Sequence, residues 1–269
     1  MCLNNMTTAA PKLIQFDDER EVACATTEQI IKSQNSKLRQ PVKKRTRREN
    51  RFRLAISGGQ LMQTLLKALL YRKEEIEWEK WDIFFVDERL VPFNSNESNY
   101  GQLKRGLLDP LKSINYPQPN VYHIEETEID DANVVAQTYE KQLINIFASR
   151  DSVRLPTFDM ILLGCAPDGH IASLFPQCHH NLREEMAWVI PITDAPLEPT
   201  KRISMSVPVI SNSNQIIFMV TGSNNAELMK MIIEKPSCEL PSALISTCAP
   251  GRVSWYVENE ALKEVMLLD

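Results

Sequence analysis

The feature that most constrains the fold of this 269-residue chain is a regular alternation of short apolar runs with segments of helical spacing. Apolar runs of about four to eight residues, bounded by turn residues, are typical of buried strands. Their alternation with helices predicts an α/β fold, with a Rossmann-like, doubly wound and mostly parallel sheet that is flanked by helices. We expect one domain over residues 12–269, preceded by a disordered leader at residues 1–11.

The predicted elements follow the chain in this alternation. Strands are predicted at residues 12–15 (an edge strand), 52–56, 81–86, 158–163, 188–192, 202–207, 215–220 and 253–257. Helices are predicted at residues 17–33, 60–71, near 100–108, 132–149 and 225–233. Asp17 is the predicted N-cap of the first helix, because an aspartate oxygen can accept a hydrogen bond from the first turn. A basic loop insertion is predicted at residues 34–50.

The strand predicted at 158–163 leads into Gly164 and then into the sequence C-A-P-D-G-H. A nearly continuous apolar run is typical of a strand buried on both faces of a parallel sheet. Ligands of such sheets bind outside the carboxyl ends of the strands, which is where Asp168 and His170 fall. Histidine exchanges protons near neutral pH, and a neighbouring carboxylate can orient its ring. His170 is therefore a candidate general base. The alternative is a tight turn in which His170 only caps the next helix.

Other predicted strand ends carry groups that suit an anion. Ser57, Gly58 and Gly59 lie between a strand and a helix start, where backbone N–H groups and the helix dipole attract negative charge. The segment matches neither the P-loop nor the dinucleotide-binding pattern, so the glycines could equally serve a sharp turn. Arg89 could clamp a phosphate or a developing oxyanion, or could form only a local ion pair within Asp87-Glu88-Arg89. Lys201 and Arg202 could add a second positive group to the same mouth.

Composition bounds the function classes. The chain is 43% hydrophobic and 24% charged, and no apolar run approaches the roughly 20 residues that span a bilayer. Its net charge of −5 argues against nucleic-acid binding by the whole surface. The N-terminus lacks the pattern of a secretory signal, so we expect a cytoplasmic chain with no membrane partner. The basic run from Lys43 to Arg48 is interpreted as a solvated loop, an anionic-surface patch or a nuclear-import signal.

The cysteines and histidines give little indication of a metal. The six cysteines form neither a C-x-x-C pair nor a finger-like spacing, so they are interpreted as reduced thiols. Cys178, His179 and His180 could form half of a metal site, but adjacent histidines in a loop are more typical of a polar surface turn. We expect neither a metal nor a cofactor.

Taken in order, the segments resemble the 6-phosphogluconolactonase family over about residues 12–266. The matching segments are S-G-G at 57–59, D-E-R-L-V-P at 87–92, S-N-Y at 98–100, L-G-x-x-P-D-G-H-x-x-S-L-F-P at 163–176, K-R-I-S at 201–204, T-G at 221–222 and L-P-S-A-L at 240–244. This family is similar in fold to the glucosamine-6-phosphate deaminase/isomerase group. It acts without a metal in the oxidative pentose phosphate pathway.

The resemblance implies hydrolysis of 6-phospho-D-glucono-1,5-lactone to 6-phosphogluconate. His170 would act as the general base that activates a water, and Asp168 would orient His170. The residues that would hold the substrate and its phosphate are Gly58, Gly59, Arg89 and Arg202. The implied partner is the phosphosugar lactone, and we expect a monomer that binds no nucleic acid.

Three positions depart from the family pattern. Gln60 stands where a serine or threonine usually follows the paired glycines, Ala166 stands at a common glycine, and Asn225 replaces a lysine. Loss of a charge-assisted hydrogen bond to phosphate would weaken binding about 10- to 150-fold. The departures keep open a second interpretation, a paralogue that binds a sugar phosphate or a protein partner with little turnover. An isomerase or deaminase would need further acid/base carboxylates, for which no second motif is present.

Overall fold

The strands of this computed structural model, which describes residues 11–41, 50–147, 154–235 and 239–266, divide between two sheets. They are β1 (Lys12–Phe16), β2 (Phe52–Ile56), β3 (Trp81–Phe85), β4 (Asp87–Arg89), β5 (Asn120–Tyr122), β6 (Met160–Gly164), β7 (Val189–Ile192), β8 (Arg202–Met205), β9 (Ile216–Val220) and β10 (Val253–Glu258). Seven form a parallel sheet in the order β1-β10-β9-β6-β2-β3-β5, and three form an antiparallel sheet in the order β4-β8-β7. The predicted α/β fold is confirmed.

Helices connect the strands of the parallel sheet. They are α1 (Glu19–Leu38), α2 (Gln60–Tyr71), α3 (Asn99–Leu103), α4 (Asp109–Ser113), α5 (Ala132–Phe147), α6 (His179–Leu182), α7 (Val207–Ser211), α8 (Ala226–Glu234) and α9 (Pro241–Cys248). A π-helical turn at Lys104–Leu108 joins α3 to α4. None of the described helices is long and apolar enough to cross a bilayer.

The centre of the parallel sheet is buried on both faces, as strand β6 shows. Met160 and Leu162 pack into one core cluster with residues of α1 and α2. Ile161 and Leu163 point the other way and pack into a second cluster with residues of α5, α7 and α8. Successive side chains of a strand alternate between faces, so a strand covered on both sides needs apolar residues at every position. This explains the uninterrupted apolar run in the sequence.

The first helix differs from its prediction at both ends. Its N-cap is Asp18, whose carboxylate accepts a 2.8 Å hydrogen bond from the N–H of Glu21, so the assignment of Asp17 was wrong. The helix continues to Leu38 instead of ending at residue 33. Gln34 is fully buried there and accepts hydrogen bonds from the indole of Trp81 and the N–H of Glu77. The predicted loop at 34–50 therefore loses its first five residues to α1, because tertiary contacts stabilise a polar helix end.

The strands predicted at 188–192 and 202–207 do not join the parallel sheet. They form β7 and β8, which pair antiparallel with each other and with β4, and residue 207 begins a helix instead. Strands β4 and β5, and helices α4, α6, α7 and α9, were not predicted. Each has eight residues or fewer, which is too short for a periodic pattern to stand out.

The basic run from Lys43 to Arg48 lies outside the described residues, as does all but one residue of the predicted leader. Two arginines that follow the segment belong to the fold. Arg51 places its Nε 2.7 Å from a carboxylate oxygen of Asp82, which is 2% exposed, and Arg53 stacks over the ring of Phe147 at 4.4 Å. The organisation of residues 12–269 as one domain and the monomeric state stay predictions.

Candidate active site

The site lies where the direction of the sheet's connections reverses. The chain runs from β2 to β3 and β5 on one side, and then returns to place β6 on the other side of β2. A crevice forms outside the carboxyl ends of two such neighbouring strands, and it is the usual ligand site of an open α/β sheet. The turn after β2 (residues 57–59, the cradle turn) and the loop after β6 (residues 165–175, the histidine loop) both border this crevice.

The histidine loop begins with a tight turn. The N–H of Gly169 donates to the carbonyl of Ala166 at 2.8 Å, and the N–H of Ala166 donates to the carbonyl of His170 at 3.2 Å. Gly169 has a φ of +84°, and a Cβ there would lie 2.8 Å from a methyl group of Leu240. Only glycine combines this backbone conformation with this close approach. The tight turn and the candidate general base are therefore not exclusive alternatives, because the turn itself places Asp168 beside His170.

Asp168 and His170 form a direct hydrogen-bonded pair. Nδ1 of His170 lies 2.6 Å from Oδ1 of Asp168, which also accepts the backbone N–H of His170 at 3.2 Å. The His170 ring packs against Phe175 with centroids 4.5 Å apart, and the side chain is 13% exposed. Burial by itself raises the pKa of Asp168, but the hydrogen bonds and charge of His170 lower that pKa below its ordinary value. Asp168 is therefore held as an anion that fixes the imidazole ring.

Arg89 and Arg202 face each other across the small sheet as cross-strand partners of β4 and β8. Arg89 donates through Nη1 to the carbonyl of Glu97 at 2.8 Å. Arg202 is 2% exposed, lies over the ring of Phe175 at 5.4 Å, and donates to the carbonyls of Pro199 and Leu197. Two guanidinium groups opposite each other repel, and the carboxylates of Asp87 and Glu97, 4.0 and 3.5 Å from Arg89, partly offset this repulsion.

Each of the two arginines also has a buried nitrogen donor that could bind a ligand. Nη1 of Arg202 and Nε of Arg89 are buried without a hydrogen-bond partner among the described residues. Burial and the charge of Arg89 lower the pKa of Arg202, against the raising effect of the nearby carboxylates. Buried donors without partners are rare in folded proteins, and an anionic ligand would satisfy them. Lys201, in contrast, donates to the carbonyl of Asp130.

The cradle turn presents backbone to the crevice. A Cβ on Gly58 would lie 1.9 Å from Oδ1 of Asn99, so the Asn99 amide packs directly on the glycine. Gly59, with a φ of +123°, is the N-cap residue of the 12-residue helix α2. A helix start with bare backbone suits an anion. The side chain of Gln60 lies outside the described part of the structure.

The other two departures are described. Ala166 is not among the non-glycine residues with positive φ in the described ranges, so its methyl group causes no backbone strain. Asn225 is 6% exposed and donates through Nδ2 to the carbonyl of Thr221 at 2.7 Å, while its Oδ1 is buried with no partner among the described residues. In the same loop the N–H of Gly222 donates to the carboxylate of Glu258 at 2.6 Å. The loop after β9 therefore carries the amide of Asn225 and contacts the carboxylate of Glu258.

Sequence reasoning gave the D-E of the D-E-R segment only a local ion pair with Arg89, yet both carboxylates are buried at the site's edge. Asp87 accepts hydrogen bonds from two serine hydroxyls. Glu88 accepts from the N–H groups of Arg89, Asn99 and Tyr100 at 2.7 to 2.8 Å. Burial raises the pKa of Glu88 to about 7, against the lowering effect of those N–H groups. Only the position of D-E at a strand end could have signalled these two residues.

No group of three or more His, Cys, Asp or Glu side chains within the described ranges is arranged to hold a metal ion. Cys178 is a free thiol just before α6, the short helix that carries His179 and His180.

Comparison with known proteins places this architecture. The profile of the family described as glucosamine-6-phosphate isomerases/6-phosphogluconolactonase matches residues 25–255. The chain is 42% identical to 6-phosphogluconolactonase-like protein 1 of Saccharomyces cerevisiae, covering 98% of this chain and 96% of the relative. It is 41% identical to a probable 6-phosphogluconolactonase of Schizosaccharomyces pombe, covering 80% and 84%.

A solved structure extends the comparison to the fold. The 6-phosphogluconolactonase of Trypanosoma brucei superposes with a TM-score of 0.79 at 22% identity, covering 96% of this chain and 100% of that one. At this identity the likeness is one of fold.

Proposed function

Because the chain belongs to the glucosamine-6-phosphate isomerase/6-phosphogluconolactonase family, we propose that it hydrolyses 6-phospho-D-glucono-1,5-lactone to 6-phosphogluconate in the oxidative pentose phosphate pathway. The observation that carries the proposal is the 2.6 Å contact between Asp168 and Nδ1 of His170 at the carboxyl end of β6. A carboxylate on Nδ1 fixes the tautomer that presents Nε2 as a base. We propose a cytoplasmic enzyme that needs no metal.

The proton path uses one imidazole twice. Nε2 of His170 takes a proton from a water, while the water oxygen forms a bond to the lactone carbonyl carbon and the carbonyl π electrons move to oxygen. When this intermediate collapses, the bond from that carbon to the ring oxygen breaks. The imidazolium then returns its proton to the departing ring oxygen. Asp168 stabilises the imidazolium between the two transfers.

The remaining site residues would hold the substrate. Arg89 and Arg202 have unused buried donors, which supports contacts to the anionic parts of substrate and transition state. Gly58 and Gly59 offer backbone N–H groups at the start of α2 to the phosphate. The buried positions of Asp87 and Glu88, with their oxygens engaged, argue against an isomerase or deaminase that moves protons between carbons.

A second candidate is a catalytically weak paralogue that binds a sugar phosphate or a protein partner. The observation that favours it is the loop at Asn225, where the expected lysine is absent and the Glu258 carboxylate occupies the N–H of Gly222. A neighbouring carboxylate repels a phosphate, so affinity for a phosphorylated ligand would be reduced.

The test compares hydrolysis of 6-phosphogluconolactone by the wild type and by His170→Ala, each above the spontaneous rate. We expect the substitution to lower kcat by about 10²- to 10⁴-fold, the contribution of a positioned general base. Unphosphorylated gluconolactone, as a matched substrate, should react with a much higher KM. A wild-type rate no greater than that of His170→Ala would reject the hydrolase and favour the weak paralogue.

A further inference from the structure

Asp87 carries a buried carboxylate that touches both loops of the active site. It begins β4, separated from the end of β3 by one residue, and is 2% exposed. Its two oxygens point to different partners: Oδ1 accepts the hydroxyl of Ser57 and Oδ2 accepts the hydroxyl of Ser173, each at 2.8 Å. Nε of Arg89 lies 4.0 Å from Oδ2. A buried carboxylate requires hydrogen-bond donors, and the two serine hydroxyls supply them, whereas the Arg89 contact is a longer ion pair.

The first arm of Asp87 reaches the cradle turn. Ser57 precedes Gly58 directly, and its N–H donates to the carbonyl of Leu162 on β6 at 3.0 Å. Asn99 supports the same turn, because its Nδ2 donates to the Asp87 carbonyl at 2.8 Å while its Oδ1 packs on Gly58. The position of the backbone N–H groups that would face a phosphate is thereby tied to Asp87.

The second arm reaches the histidine loop. Ser173 is fully buried, three residues beyond His170 and two before Phe175, on which the imidazole packs. The loop between them closes on itself, with hydrogen bonds between Ile171 and Leu174 in both directions. A shift of Ser173 would therefore displace the Phe175 ring against which the His170 imidazole packs.

We propose that Asp87 is a positioning residue that sets the spacing between the cradle turn and the histidine loop, and hence between the bound phosphate and the general base. The inference rests on the proposed function for its kinetic consequence. Ser57 and Ser173 lie 116 positions apart in the sequence, and one carboxylate joins the segments that contain them. Asp87 itself touches no reacting atom and acts through these two arms.

Kinetics of single-arm variants test this role. Ser173→Ala cuts the arm to the histidine loop, so kcat should fall about 10- to 150-fold, the range for loss of a charge-assisted hydrogen bond, with KM unchanged. Ser57→Ala cuts the arm to the cradle turn, so KM for 6-phosphogluconolactone should rise over the same range with kcat unchanged. Asp87→Ala should change both parameters, and Asp87→Asn should recover part of each, because a serine hydroxyl can also accept from an amide.

Ser206→Ala is the matched control. Ser206 is fully buried and its hydroxyl donates to the carbonyl of Ala187 at 2.7 Å, so its substitution removes a buried serine hydrogen bond, to a neutral acceptor, outside the two arms of Asp87. It should lower the Tm without changing kcat or KM. If Ser57→Ala and Ser173→Ala behave like this control, Asp87 is only structural and the proposal is overturned.

Hydrogen exchange tests the coupling independently of catalysis. In Asp87→Asn, the N–H groups of Gly169 and Leu174 and those of the cradle turn should all exchange faster than in the wild type. In each serine variant only the loop on that side should respond. Should Asp87→Asn leave either loop as protected as in the wild type, the coupling is absent. A wild type without lactonase activity would reject the proposed function and leave this exchange result to decide the coupling.

Discussion

The histidine loop and the loop of Asn225 follow neighbouring strands, β6 and β9, but their polar groups are satisfied to very different degrees. In the histidine loop, Asp168, His170 and Ser173 all have hydrogen-bond partners within the protein. In the other loop, the Oδ1 of Asn225 is buried with none among the described residues. The polar groups of the histidine loop are thus satisfied by the chain itself, whereas the loop of Asn225 keeps a buried acceptor that a hydrogen-bond donor of a ligand could satisfy. Departures from the family pattern should therefore affect affinity before chemistry.

The largest effect should come from removing the charge of Asp168 in the histidine loop. Asp168→Asn keeps the shape of the turn but removes the charge that fixes the His170 tautomer and stabilises the imidazolium, so kcat should fall about 10²- to 10⁴-fold. The measurement is the steady-state rate on 6-phosphogluconolactone with circular dichroism as a control for folding. Unchanged kcat in a folded variant would mean that the 2.6 Å contact serves the turn alone.

Glu88 accepts the N–H of Asn99, which packs on the cradle turn, and its burial should make the stability of the protein depend on pH. Because burial raises the pKa of Glu88 from 4.5 to about 7, the native state binds more protons than the unfolded state between these values. The free energy of unfolding should therefore fall as pH rises through this window, by about 3 kcal/mol in all. Denaturant unfolding from pH 4.5 to 7.5 would show this slope in the wild type and its loss in Glu88→Gln. Equal slopes would contradict the raised pKa.

The smallest effect should come from placing a lysine at position 225, where the family pattern has one. Asn225→Lys restores a cation at the loop after β9, so KM for 6-phosphogluconolactone should fall about 10- to 150-fold while kcat stays unchanged. Gluconolactone, which lacks the phosphate, should show no gain. If KM for the phosphorylated substrate also stays constant, another residue already fills the role of the lysine and the contrast between the two loops disappears.

Much of the site could be read from the sequence because local chemistry decides it. The spacing of Asp168 and His170 around Gly169 closes a turn whatever surrounds it, and the apolar run before it requires a strand covered on both faces. The cradle turn and α2 have their predicted bounds for the same reason.

Other parts escaped sequence reasoning because they depend on contacts over long separations. In the small sheet β4 pairs with β8, which lies more than 100 residues later in the chain. No local feature of either strand predicts this pairing. Helix α1 extends through Gln34 only because Trp81 and Glu77 satisfy the buried amide. Arg202 was expected at the substrate's phosphate end, yet part of its guanidinium donates to carbonyls of its own loop.

The sequence by itself determined the α/β class, the turn that pairs Asp168 with His170, and the glycines at the start of α2, since each follows from local backbone preferences and side-chain spacing. Only the tertiary structure decided that β2 and β6 are neighbours, that Arg89 faces Arg202, and that Asp87 reaches Ser57 and Ser173. The physical reason is that a strand's pairing partner and a buried carboxylate's donors are chosen by packing among distant segments, which no local pattern records.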